Sequence, residues 1–135
     1  MNLNRIILRP DGEESFISYP SQKLLDSLPK NEDDSPNLYK LPKDTVRNVI
    51  LQCLNYSSPK DASGGFMVNL IGQDIVRADK EITLRPKMKE FLVEVLKEQI
   101  FKEETDKEGK SVQKGIYKGW VIAQVLDELG EKLEE

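Results

Sequence analysis

The chain has 135 residues, 20 Lys and Arg against 24 Asp and Glu, a net charge of −4 and 38% hydrophobic residues, which suits one globular domain able to bury about two thirds of its unfolded surface. With no histidine and a single cysteine, intrachain disulfides, Ser-His and Cys-His nucleophile pairs, histidine acid–base chemistry and most transition-metal sites are excluded. No window approaches the ~18 apolar residues of a membrane span, Asn4, Arg5 and Arg9 interrupt any signal-peptide core, and a pI of about 5.1 lacks the basic face of a nucleic-acid binder.

From the N-terminus, NRIILR at 4–9 and ESFISY at 14–19 flank PDGEE. Asp11-Gly12 between two β-rich runs predicts a hairpin, because glycine accepts a positive φ. Ser21 is placed to cap a short helix over 21–28, and the proline-bearing, acidic stretch 29–41 reads as an extended connector. Asp44 is then placed to cap a helix over TVRNVILQCLNY, where Val46, Val49, Ile50, Cys53 and Leu54 form one buried stripe.

A polar loop, SSPKDASGG at 57–65, leads to a helix over 66–78 with Met67, Leu70 or Ile71, and Ile75 on one face. Asp61 or Ser63 is available to cap it. Pro86 suits the first position of the next helix, whose stripe runs through Met88, Phe91, Leu92, Val95, Leu96 and Ile100. The charged stretch 102–112 predicts a mobile hydrophilic loop. A last helix is expected from about Gly115 to Leu129, stopped by Gly130, with Glu131 to Glu135 as an acidic tail.

Residues that could carry chemistry have plainer structural readings. A calcium loop starting at Asp74 or Asp79 lacks its sharp glycine turn and has Val76 and Ala78, or Leu84, at key positions. Glu32, Asp33 and Asp34 are consecutive and cannot converge on one ion without an unusual turn, so they read as a solvated loop. DASGG is too short for a phosphate cradle. Glu94 falls opposite the Phe91, Leu92 and Val95 stripe and reads as exposed, and Cys53 reads as a small core side chain. No catalytic residue, cofactor or metal is therefore expected. Tyr117 and Trp120, three residues apart between Gly115 and Gly119, read either as core or as an anchor for a partner protein, with Gln124 a turn further on.

From about Thr45 to Leu129, the spacing of VRNVILQCL, GQDIVRADKEITLRPKMKEFLVEVL and YKGWVIAQVLDEL resembles that of small uncharacterised phage and prophage proteins. The resemblance implies an accessory protein of virion or tail assembly that works by protein contact, in the host cytoplasm or on the virion. The expected fold is α+β and predominantly helical, an N-terminal β-hairpin followed by a four-helix core. Residues 1–41 form the ribbon, short helix and connector, 42–130 the helical core and 131–135 the tail of one domain. The partner is a phage structural protein or a host protein, with neither nucleic acid nor membrane involved. A homo-oligomer is compatible with this reading. The competing expectation is an inhibitor of a host system, such as an antagonist of a nucleic-acid-guided nuclease, using an acidic face built from Glu32, Asp33, Asp34 and the C-terminal acids.

Overall fold

A computed structural model describes residues 1–18 and 20–131. Its elements in chain order are α1 (Gln22–Ser27), a 3-10 turn (Leu38–Lys40), α2 (Val46–Tyr56), α3 (Ala62–Arg77), α4 (Pro86–Glu98), β1 (Lys102–Thr105), β2 (Ser111–Lys114) and α5 (Gly119–Glu128). α2 packs on α3, α4 and α5, and α4 also packs on α3 and α5. The expected stripes of α2 and α4 meet α5 in one core: Val49, Ile50 and Cys53 from α2, Leu92 and Leu96 from α4, with Ile122 and Val125 from α5. Among the described residues no helix is long and apolar enough to cross a membrane.

Caps set most of the helix boundaries. The Ser21 hydroxyl accepts the Leu24 N–H at 3.1 Å, and Pro86 opens α4, both as the residue types lead one to expect. Gly130 stops α5 at φ +79°, with the Glu131 N–H reaching back to the Leu126 carbonyl at 3.0 Å, a glycine C-terminal motif. α2 is capped differently from expectation. Thr45, not Asp44, holds the capping position and accepts the Asn48 N–H at 3.3 Å. α3 starts four residues early, at Ala62, because Asp61 captures its first turn.

The expected fold, an N-terminal hairpin ahead of a four-helix core, is overturned. Among the described residues there are five α-helices, and the antiparallel hairpin, β1 with β2, comes after α4. The Asp11-Gly12 turn does form, with Gly12 at φ +86° and the Arg9 N–H bonded to Glu13 at 2.8 Å. The flanking runs then part after one bridge, Leu8 to Glu14. Their hydrogen bonds go elsewhere: Ile6 bridges Thr45, Phe16 bridges Lys43 and Asn2 bridges Glu81. The Ile7 N–H reaches the Asp44 carbonyl at 3.0 Å and the Leu3 N–H reaches Lys80 at 2.9 Å. Burial of Leu3 and Ile7 among the helices draws this backbone across the approach to α2, and a run has only one set of donors and acceptors to give.

The stretch expected as a mobile loop is the real hairpin. Asp106 organises its turn, accepting the N–H groups of Glu108 at 2.8 Å and Lys110 at 2.9 Å, while Gly109 supplies φ +80°. Every residue of β1 and β2 is exposed. The base is fixed by a parallel bridge between Ile100 and Tyr117. The tail expected over 131–135 lies outside the described residues beyond Glu131.

Candidate functional site

α3 is held firmly at both ends. At its start the Asp61 carboxylate accepts the Gly64 N–H at 2.8 Å. A Cβ on Gly64 would stand 3.1 Å from the Pro59 Cβ, so glycine lets the α2–α3 connection close against the first turn. At its end Arg47 of α2 donates to the carbonyls of Ile75, Ala78 and Asp79. That guanidinium satisfies acceptors the helix leaves open and offsets the negative end of its dipole.

Between these clamps α3 is poorly covered. It buries two of its 16 residues, Ile71 and Ile75, whereas α2 buries five of 11, so α3 rides on the core as a ridge. Its outward side carries Phe66, 70% exposed, Val76 at 63% and Leu70 at 38%. At about 100° per residue, Phe66, Leu70, Gln73 and Val76 fall within one arc facing away from Ile71 and Ile75. Exposed apolar side chains gathered in this way mark contact surfaces.

A groove runs along each flank of the ridge. On the α2 side a space of about 460 Å³ has Leu51, Leu54 and Val68 as apolar walls and Asn55, Asn69 and Gln73 as polar neighbours. Gly72 deepens it: a Cβ there would meet only Leu54 Cδ1, at 3.8 Å, so glycine is not demanded by a close helix crossing. On the α4 side about 300 Å³ lies between Leu70, Leu84 and Met88. Among the described residues no group of three His, Cys, Asp or Glu side chains is placed to hold a metal ion. The chemistry on offer along α3 is apolar contact bordered by amides and by the charged side chains of Asp74, Arg77 and Arg85.

The three residues singled out in the sequence lie on or just before α5. Tyr117 precedes the helix and is 3% exposed, part of the core cluster. Its N–H donates to the Gln99 carbonyl at 3.0 Å. Trp120 is half-buried against the same cluster. Gln124 is engaged at both ends of its amide: Oε1 accepts the Leu8 N–H at 2.9 Å, and Nε2 donates to the carbonyls of Leu8 at 2.8 Å and Trp120 at 2.9 Å. Gln124 thus serves the N-terminal segment as a strand would, and Tyr117 serves packing. The three do not share one exposed face.

Of the ionisable groups with displaced equilibria among the described residues, three sit in the core or tie the N-terminal segment to it. Burial pushes the Asp44 carboxyl up, against hydrogen bonds from Asn48 and Thr45. Burial, with the nearby Asp44 charge, pushes the Cys53 thiol up to about 12, which leaves it inert. Glu128 is held below the usual carboxylate range, first by the Asn2 N–H at 2.8 Å and then by Arg5 at 2.9 Å. Each of these serves the fold rather than the ridge.

Comparison of the chain with family models, with curated proteins and with solved structures finds no match. The ridge does not stand out in the sequence, where Tyr117 and Trp120 are the conspicuous aromatics. The signal was present: Phe66 and Val76 fall off the Met67, Ile71 and Ile75 stripe of their own helix.

Proposed function

We propose that this chain is a non-enzymatic protein-binding protein whose contact surface is the α3 ridge with its flanking grooves. The observation that carries this reading is the contrast within α3: the helix is anchored at both ends, yet Phe66, Leu70 and Val76 face outward. An isolated apolar side chain on a surface is ordinary, whereas three on one anchored helix form a patch of the kind that partners cover. Helix-in-groove and helix-face recognition use anchors at this spacing. The partner, on the sequence resemblance alone, is a component of a phage particle, and the role is that of an accessory in virion or tail assembly.

The test is site-specific photo-crosslinking in the native infected or lysogenic cell. A benzophenone amino acid is placed at Phe66, at Val76 and, as a control away from the ridge, at Tyr39. The expected result is one shared adduct from Phe66 and Val76, absent from Tyr39, whose mass spectrum identifies a capsid or tail protein. Adducts equally strong from Tyr39 would overturn the ridge as the contact. A host enzyme as the shared adduct would overturn the assembly role and establish the inhibitor in its place.

A further inference from the structure

Where the α2–α3 connection passes α4 there is a further concavity, of about 240 Å³. Pro59, Phe91 and Val95 supply its apolar surface, and Asp61, Glu94 and Glu98 its carboxylates. Among the described residues that line it, Lys60 is the one cation. Glu94 and Glu98 stand one helical turn apart on the exposed side of α4, where like charges repel. Among the described residues neither is ion-paired, in contrast to Glu104 and Glu128, which are. Asp61 is held in place by its bond to the Gly64 N–H.

We infer that this pocket seats a lysine or arginine side chain of a protein partner. The inference rests on the protein-binding reading for the kind of partner, while the site itself is separate from the ridge. An apolar wall beside unpaired carboxylates matches the two-part character of these side chains, whose methylene stems lie on apolar surface while the charged head stays at the polar edge. A bare metal ion would find no use for Phe91 and Val95, and among the described residues no three carboxylates are placed to share one. An anionic group would face the repulsion that Glu94 and Glu98 already exert on each other. A positive head relieves that repulsion, so binding is favoured by the arrangement of the free protein.

The experiment uses the full chain labelled with nitrogen-15, titrated at low salt with the peptide acetyl-Ala-Lys-Leu-Lys-Ala-amide. The expected result is saturable amide shifts confined to residues 58–64 and 91–98, weaker at raised salt because the charges sit at the surface. The double variant E94Q/E98Q should weaken the peptide by about tenfold while unfolding at a temperature no lower than the parent chain, since it removes a repulsion. A peptide with norleucine in place of both lysines should shift nothing. Shifts scattered over all acidic surfaces, or unchanged affinity in E94Q/E98Q, would overturn the pocket. Equal affinity for spermidine would assign it to free amines instead of a protein side chain. None of these outcomes bears on crosslinks from Phe66 and Val76, so the two readings fail separately.

Discussion

Asp44 spends its backbone and its side chain on different partners. Its N–H goes to Ser15 at 2.8 Å and its carbonyl receives Ile7 at 3.0 Å, while Oδ1 accepts Thr45 N–H at 3.0 Å and the Asn48 amide at 2.7 Å. At 1% exposure the carboxyl is pushed up by burial. A carboxyl whose equilibrium is raised on folding stabilises fully below its unfolded value, and that stabilisation fades as pH rises through the folded one. Asp44→Asn keeps an oxygen for both donors and never charges. Urea unfolding from below about pH 4 to neutrality should therefore show the variant gaining on the parent chain as pH rises. The gain is about 1.4 kcal/mol for each unit by which the carboxyl is displaced. A gap that stays constant with pH would mean that Asp44 titrates as it does in the unfolded chain. The pair Asp44-Thr45 also shows why a cap is hard to place from residue types. Both side chains are competent, and what decides between them is that Ser15 and Ile7, distant in sequence, fix the Asp44 backbone outside the helix.

The junction between β2 and α5 depends on glycine in a way that the turn between the strands does not. Gly115 adopts φ +79°, and a Cβ there would stand 2.3 Å from the Ile100 carbonyl oxygen. Gly109 adopts φ +80° with nothing within 4 Å of that position. Alanine at either site meets the left-handed cost of about 1–2 kcal/mol, but at Gly115 it must also push apart the Ile100–Tyr117 bridge. Gly115→Ala should thus lower the thermal midpoint well beyond Gly109→Ala, with the difference visible in chemical denaturation. Equal losses would show that the bridge yields freely. At this scale the long helices were legible because apolar spacing and local caps are written in consecutive residues. The hairpin was not. Its strands, Lys-Glu-Glu-Thr and Ser-Val-Gln-Lys, face water on both sides, so no period-two alternation marks them. Only Asp106 and Gly109 pointed to a turn.

Across the whole molecule, the two segments expected from the sequence to be peripheral have opposite roles. The N-terminal run is expected to form a β-ribbon ahead of the helical core, yet Leu3 and Ile7 are fully buried in that core, and Arg5 ties the run to Asp127 and Glu128 on α5, each at 2.9 Å. Its path was not legible, because a β-rich run says that it will pair and not with what. Isolated bridges to Thr45, Lys43 and Glu81 come from tertiary packing. Nor was the ridge legible as a surface. Periodicity shows that Phe66 leaves the buried stripe, but only the neighbours of α3 decide whether another element covers it. The hairpin, by contrast, extends from the fixed Ile100–Tyr117 base with exposed strands. Leu3→Ala or Ile7→Ala should each cost about 2–5 kcal/mol, the range for truncating a buried aliphatic side chain. Joining Lys102 to Lys114, which face each other across the ladder, through an Asn-Gly turn in place of residues 103–113 keeps the base geometry. That shortened chain should unfold within about 1 kcal/mol of the parent, since wholly exposed strands add little to the core. Equilibrium unfolding of the three variants side by side decides the matter. A hairpin deletion as damaging as Leu3→Ala would mean that the strands hold the α4–α5 corner together and are more than an extension of it.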